Sequence, residues 1–151
     1  MQTKNIIKTK LEQRGNEYKI KAPVTGSVVL NNAVVASFGD GSLRFFGLNQ
    51  EPFEVKAHKG VILTMSSNGQ FVYTGGDDGK FLKISSDGQI NEIYNFGSQW
   101  VDCVASTENY FACSSGKKAY LWVNDDSKPL ILSLIHIPSP RDLSTSRMPS
   151  S

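Results

Sequence analysis

Adjacent carboxyl groups and glycine-containing loops are the first residues of this sequence that could support chemistry. Asp77 and Asp78 are neighbouring acids, but neighbours on a turn point apart, whereas a general acid/base pair must face one substrate. GDGS at residues 39–42 and SSGKK at residues 114–118 look like pieces of a phosphate loop, yet the full G-x-x-x-x-G-K-[ST] pattern is absent. A solvated turn explains each of these stretches.

Metal and thiol chemistry have no better candidates. The aspartates and glycines at residues 77–79 and 87–88 lack the calcium loop with its closing glutamate. Cys103 and Cys113 are too few for a disulfide scaffold or a zinc site, and we expect both to be buried apolar residues rather than a redox pair. We therefore expect no catalytic residue, no metal and no cofactor.

The composition indicates a single folded domain. The chain has 151 residues, of which 39% are hydrophobic and 20% charged, so disorder of the whole chain is excluded. No apolar run approaches the roughly 20 residues of a membrane helix, and no signal peptide follows the basic start. We expect a cytoplasmic protein that does not bind a membrane.

The positive charge is concentrated at the start of the chain. Residues 1–21 carry a net charge of +4, whereas residues 22–131 carry −3. A nucleic-acid partner is not expected, because such proteins concentrate positive charge on the folded surface. Residues 1–17 are predicted to be a basic, solvated leader; an arm that binds phosphates is the alternative.

Three segments of the chain repeat one pattern. They span residues 24–48, 59–85 and 98–123, and the pairs Asp40-Gly41 and Asp78-Gly79 lie 38 residues apart. In the second segment, short apolar runs alternate with turn residues, which predicts four strands at residues 61–65, 71–74, 81–84 and 90–94. Asn68-Gly69 and Asp87-Gly88 predict hairpins with type I′ turns. No helix is expected between residues 23 and 132, so the fold class is all-β.

These residues resemble a known family. ASFGDGSLRFF and YTGGDDGKFLKI look like the end of a WD40 repeat, and Leu121-Trp122 is similar to the Leu-Trp that closes its third strand. The arrangement is similar to single-domain WD40 proteins of bacteria. The resemblance implies a partial β-propeller of three four-stranded blades, at residues 18–56, 57–95 and 96–132, and a non-catalytic scaffold for protein or peptide partners.

The resemblance also implies a buried polar network in the second blade. In the family, an Asp, a His, a Ser or Thr and a Trp tie the turns of a blade to its third strand. Asp78, His58 and Thr74 match the first three roles, and Ser85 stands where the tryptophan would be. The alternative is that His58 is an exposed loop residue.

A contact face follows from the same resemblance, because the turns before the first strand and after the second share one side of a propeller. That side would gather a tryptophan, an aspartate and four lysines: Lys59, Asp77, Lys80, Trp100, Lys117 and Lys118. In the alternative interpretation Trp100 packs into the edge of its blade and the lysines only keep the surface soluble.

The end of the chain differs in composition from the repeats. Residues 130–132 fit a fourth strand of the third unit, whereas residues 133–151 are rich in proline and serine. We expect these residues to be a disordered, non-native tail on a truncated chain; a genuine Ser/Pro-rich tail is the alternative. A propeller closes with about 4–8 blades, so three blades are part of a ring. Residues 18–21 could supply the strand that completes a ring.

Two rival functions come from other classes. The chain could be a fragment of a propeller-based hydrolase or lactonase whose active-site residues lie in blades outside this sequence, which metal analysis of the full-length product would reveal. It could also be a β-sandwich adhesion or carbohydrate module. Such a module is disfavoured if the intact gene continues the period of 38 residues.

We predict that the 151-residue chain associates with copies of itself, because a partial ring leaves sheet surfaces unpaired. Open faces and edges expose apolar groups that another chain can cover. Sedimentation velocity should show species larger than a monomer, or precipitation as the concentration rises. A monomer that melts in one sharp transition would contradict the prediction.

Overall fold

The computed structural model describes residues 9–125 and 128–133. The first part of the basic leader, residues 1–8, lies outside the described residues, and so do His136 and the predicted tail from residue 134 onward. The predicted all-β fold is confirmed, since one short helix and twelve strands make up the elements of the described parts. No helix among them is long and apolar enough to cross a bilayer.

The strands follow one another without interruption by helices. The elements are α1 (Lys10–Arg14), β1 (Val24–Leu30), β2 (Ala33–Phe38), β3 (Ser42–Gly47), β4 (Phe53–Lys56), β5 (Ile62–Ser67), β6 (Phe71–Gly76), β7 (Lys80–Ser85), β8 (Ile90–Asn95), β9 (Val101–Ser106), β10 (Tyr110–Ser115), β11 (Lys118–Val123) and β12 (Leu130–Ser133). The last strand ends one residue beyond the boundary at residue 132 that the sequence predicts.

Each group of four consecutive strands forms its own antiparallel sheet. Strands β1–β4 form sheet 1, β5–β8 form sheet 2 and β9–β12 form sheet 3, each in chain order. The first and second strands of every sheet pair with a register shift near the start of the first strand, as between Val24 and Gly26 and between Ile62 and Thr64. Such an irregularity increases the local twist of a strand. Because it occurs at the same position in all three sheets, the sheets repeat one another in detail.

The sheets pack face to face, with β5 in contact with both β1 and β9. Between sheets 1 and 2, alternate residues of the strands form an aliphatic core closed by aromatic rings. Its buried members are Leu30, Val35, Leu43, Phe45, Ile62, Val72, Leu82 and Ile84. Full burial of one such side chain contributes about 1.5–3 kcal/mol, so this interface stabilises both sheets.

The interface between sheets 2 and 3 is predominantly aromatic. Trp122 is 1% exposed, and its ring lies 5.3 Å from that of Phe81 and 5.8 Å from that of Phe111. Tyr73 of sheet 2 stacks on Phe111 at 5.0 Å. Because neighbouring residues of a strand point to opposite faces, sheet 2 presents Val72 to sheet 1 and Tyr73 to sheet 3.

A lysine connects sheets 2 and 3. Nζ of Lys83 lies 2.8 Å from Oδ1 of Asp125, in the turn that follows β11. The same ammonium sits 4.2 Å from the ring centre of Phe71 and 5.9 Å from that of Phe111. The Lys83 side chain is 13% exposed, so its ion pair and cation–π contacts are partly shielded from water.

The predicted type I′ turns are wrong, although the strands they join do pair. Gly69 and Gly88 have positive φ angles of 92° and 88°, but Asn68 and Asp87 are not among the residues with positive φ. The Asn68 side chain accepts hydrogen bonds from the backbone N–H of Gln70 at 3.0 Å and of Phe71 at 2.8 Å. These bonds stabilise a longer loop than a two-residue hairpin requires.

The segment before β1 contains the short helix α1, and residues 18–21 belong to no strand among the described residues. The strand that these residues could add to complete a ring needs a further blade as its partner, and it stays a prediction. Each sheet already takes four strands from its own repeat. The Tyr18 ring instead packs 5.6 Å from that of Phe46, on the side of sheet 1 that faces away from sheet 2.

Large apolar side chains remain exposed on the two outer sheets. Val24 is 63% and Val34 is 46% exposed on sheet 1, whereas Ile62 and Val72, at the matching positions of sheet 2, are fully buried. On sheet 3 the exposed residues include Tyr110, Leu130 and Leu132. In sheet 2, which has a neighbour on both faces, the matching positions are removed from water by the neighbouring sheet.

Substitution of Gly75 tests whether sheets 2 and 3 must lie close together at this residue. A Cβ at Gly75 would lie 2.5 Å from Cγ1 and 2.7 Å from the carbonyl oxygen of Val101. Gly75→Ala should therefore lower the free energy of unfolding by about 1–3 kcal/mol, measured by urea denaturation. Gly47→Ala is the matched control, since its Cβ would meet Gln50 at an ordinary 3.6 Å. Equal stability of the two variants would contradict the close packing.

Candidate functional site

The connections between strands alternate between two ends of the structure. Because each sheet is an antiparallel meander, the connections that precede a first strand and those that join a second to a third strand emerge together. We call this the upper end, and the opposite one the lower end. The six residues predicted as a contact face all lie in or beside upper-end connections: Lys59, Asp77, Lys80, Trp100, Lys117 and Lys118.

Glycines let the upper-end connections of successive sheets touch. A Cβ at Gly41, where φ is 84°, would lie 2.2 Å from the carbonyl oxygen of His58, whose N–H donates to the Gly41 carbonyl at 3.0 Å. Gly79 repeats this arrangement one sheet later, with a φ of 78° and the Gly97 carbonyl oxygen 2.2 Å from its virtual Cβ. The upper end is therefore one connected surface.

His58 is buried beneath that surface. The residue is 2% exposed, and both ring nitrogens have partners: Nδ1 lies 2.9 Å from Oδ1 of Asp78 and Nε2 lies 2.8 Å from Oγ1 of Thr74. A carboxylate only accepts, so Nδ1 carries the donated proton, and in the neutral ring Nε2 accepts from the Thr74 hydroxyl. The structure thus brings the three predicted network residues together.

The Asp78 carboxylate joins this network to two strands. Burial acts to raise its pKa, but the hydrogen bond and attraction of His58 and the backbone N–H groups of Lys80 and Lys59 outweigh burial, so the pKa lies below its ordinary value. The Lys80 N–H donates to Oδ1 at 3.2 Å and the Lys59 N–H to Oδ2 at 3.1 Å. These contacts hold the connection before β5 and the connection after β6 together.

The network has no tryptophan. Ser85, at the matching position, instead shares hydrogen bonds with Asp87 and the backbone of Gln89 within its own turn. In sheet 1, Asp40 accepts from the N–H and hydroxyl of Ser42 at 3.0 and 2.6 Å, a bond that stays inside one turn. The histidine network therefore belongs to sheet 2 alone within the described residues.

Trp100 is an exposed side chain at the upper end. It is 61% exposed, whereas the other tryptophan, Trp122, is 1% exposed, so the structure does not pack Trp100 into the edge of sheet 3. Among the predicted lysines, Lys80 pairs with Glu92 at 3.4 Å. In the described part of the chain the remaining three, Lys59, Lys117 and Lys118, have no ion pair.

The structure corrects the expectation for one cysteine. Cys113 is buried, but Cys103 is exposed, because the two residues occupy strand positions that point to opposite faces of sheet 3. Burial, followed by the nearby Asp102 carboxylate, raises the pKa of Cys113 to about 12, so its thiol is not ionised at neutral pH. Within residues 9–125 and 128–133, no three His, Cys, Asp or Glu side chains are placed to hold a metal ion.

A group of residues at the lower end escaped the sequence analysis. The connections there contain Asn31-Asn32 and Asn49-Gln50, which line a cavity between sheets 1 and 2. The available signal was two adjacent pairs of carboxamide residues at turn positions. Asn at a turn has an ordinary structural explanation, and the sequence does not show that two distant turns meet.

Comparison with known proteins gives similarity to repeat proteins. No protein-family model matches the sequence. The chain is 24% identical over 137 residues to WD repeat-containing protein 90 of Xenopus tropicalis, a match that covers 78% of this chain and 7% of the relative. The chain therefore spans a small part of that protein's length.

The solved structures extend the similarity to three dimensions. The WD40 repeats of RRP9 superpose with a TM-score of 0.65 at 14% identity, over 77% of this chain and 40% of that one. A chain in the mitotic checkpoint complex superposes with a TM-score of 0.62 at 17% identity, over 77% of this chain and 39% of that one. The chain has the WD40 β-propeller fold. Its three sheets are three propeller blades, as the sequence predicts.

The blade 2 network gives a prediction about acid stability. Because the pKa of Asp78 is lower in the folded than in the unfolded state, its contribution is complete above the unfolded value of about 3.9 and is lost as the pH falls through the folded value. Asp78→Asn should lower the free energy of unfolding at pH 7 by about 1–3 kcal/mol and weaken its decline below about pH 4.

Urea denaturation at about pH 7, 5 and 3.5, of which the last lies just below the unfolded aspartate pKa of about 3.9, measures this effect. Asp77→Asn is the matched control, because Asp77 makes no hydrogen bond to His58, and it should keep the pH dependence of the unsubstituted protein. The explanation fails if Asp78→Asn and Asp77→Asn decline in parallel.

Proposed function

We propose that this chain is a non-catalytic interaction scaffold that binds a protein or peptide partner at its upper end. The observation that carries the proposal is Trp100, a large amphipathic ring that is 61% exposed on a connected surface of loops. Tryptophan is among the residues that most often dominate the energy of protein interfaces when a partner removes them from water. A rigid frame that presents such a ring can bind without a large entropic cost.

The lysines of the contact face favour an acidic partner. Lys59, Lys117 and Lys118 are exposed and have no ion pair among the described residues, so their charges are open to carboxylates of a partner. Such complementary charges increase the rate of association and orient the partner. The tryptophan would then supply most of the binding energy, and the lysines would select the sign of the partner's charge.

Propeller fold and relatives agree with a binding role. The curated relative is named for its WD repeats, and one similar solved structure is a complex, the mitotic checkpoint complex. Blades that support one another hold their loops on a stiff frame, and loops on a stiff frame are where binding residues concentrate. The match covers 7% of that relative, so the relative's own partners are not assigned to this chain.

Substitution of Trp100 tests the proposal. Proteins captured and cross-linked by the unsubstituted chain, identified by mass spectrometry, should be depleted about tenfold or more with Trp100→Ala. Tyr110→Ala is the matched control, because Tyr110 is an aromatic residue 49% exposed at the lower end. The proposal is wrong if the two variants retain the same partners as the unsubstituted protein.

A further inference from the structure

A cavity of about 650 Å³ opens at the lower end, on the side opposite Trp100. Three connections surround it: the β1–β2 turn, the β3–β4 loop and the β7–β8 turn. Its volume falls in the range of about 300–1,000 Å³ that is usual for ligand sites. All of its lining residues come from blades 1 and 2.

The floor of the cavity is apolar and rigid. Leu30 and Phe45 are 1% and 2% exposed, and both belong to the core between blades 1 and 2. The rings of Phe45 and Phe53 stack with their centres 4.6 Å apart and their planes inclined by 6°. Because Leu30 and Phe45 are almost fully covered, the apolar surface open to a ligand comes from Phe53, Ala33 and Leu48.

The rim of the cavity carries carboxamides. Asn31, Asn32, Asn49 and Gln50 all line it, and their side chains make no hydrogen bond within the part of the chain that the structure describes. A carboxamide offers both a donor and an acceptor, which matches the N–H and C=O of a peptide group. The backbone N–H of Asn31 donates to the Gly69 carbonyl at 3.0 Å, which joins the rim to blade 2.

The lower end is acidic, although one of its carboxylates, Asp125, is paired with Lys83. Four acidic residues against one lysine lie in the lower connections of the described residues: Glu51, Asp87, Glu108, Asp125 and Lys128. Of these, Asp87 lines the cavity itself. The hydrogen bond from the Ser85 hydroxyl holds the pKa of Asp87 below its ordinary value, so the rim is negative at neutral pH.

We propose that this cavity binds an extended peptide segment in which an apolar side chain stands next to a lysine or arginine. The apolar side chain packs on Phe53, Ala33 and Leu48, the carboxamides bind the peptide backbone, and the basic side chain pairs with Asp87. This site is independent of the upper-end contact face and takes a ligand of the opposite charge. The chain would then connect two partners along one axis.

Labelled synthetic heptapeptides provide the test by fluorescence polarisation on the full chain. The first peptide has a central leucine flanked by two arginines; in the second, glutamates replace the arginines, and in the third, serine replaces the leucine. The first should bind saturably, and the other two should bind at least about tenfold more weakly. Absence of saturable binding by the first peptide, or equal binding by all three, would overturn the proposal.

Two substitutions locate the binding. Asp87→Lys should weaken the arginine peptide about tenfold and strengthen the glutamate peptide, whereas Glu108→Lys, the same charge change at the same end but outside the cavity, should change neither by more than about twofold. Equal effects of the two would mean general electrostatic attraction and would refute the site. Asp87 is exposed, so its variant is expected to fold.

Gly47→Leu is the steric test, because Gly47 lines the cavity and a Cβ there meets only Gln50, at 3.6 Å. The larger side chain should abolish binding of the arginine peptide, and retained binding by a folded variant would contradict the proposal. Trp100→Ala should leave this binding unchanged. The outcome therefore separates failure of the lower site from failure of the upper-end function.

Discussion

Face-to-face packing of sheets is the interaction on which the rest of this structure depends. A four-stranded sheet that is apolar on both faces cannot hide its own surface, so each blade is folded by its neighbours. Blade 2 shows the completed arrangement, with Val72 and Ile84 buried against blade 1 and Tyr73 and Phe81 buried against blade 3. This stacking therefore sets the positions of the loops at both ends.

The two ends of the stack are built differently. At the upper end, glycines at tight turns bring the loops together, and the Asp78–His58–Thr74 network ties those of blade 2 to its strands. At the lower end the β1–β2 turn is bonded to the β5–β6 turn through Asn31 and Gly69, and a cavity lies between the β1–β2, β3–β4 and β7–β8 connections. One end is therefore a surface of charges and an exposed ring, and the other contains a recess.

Much of the architecture follows from local rules. The repeat near 38 residues and the strand-length apolar runs predict three four-stranded sheets, because strand pairing and turn chemistry act over short distances in sequence. The residues of the histidine network could be named from their positions in the repeat. Whether His58 would be buried could not, since burial depends on the neighbouring loops at Gly41 and Asp78.

The expectations for Cys103 and for the Asn68 turn are wrong for two physical reasons. One depends on contacts between distant segments, and the other on competition between local hydrogen bonds. Cys103 sits in an apolar strand pattern, but the strand's outer face has no neighbour in the described residues to bury it. The Asn68 turn was misassigned because the side chain competes with the backbone for hydrogen bonds.

The histidine network has a consequence for how readily each blade opens locally. Blade 2 has two covered faces and the polar network, whereas each outer blade is covered on one face in the described structure. Stability is then graded along the stack, and cooperative units of different lifetime are expected within one chain. The outer blades would then open more often than blade 2, which loses one covered face each time a neighbour opens.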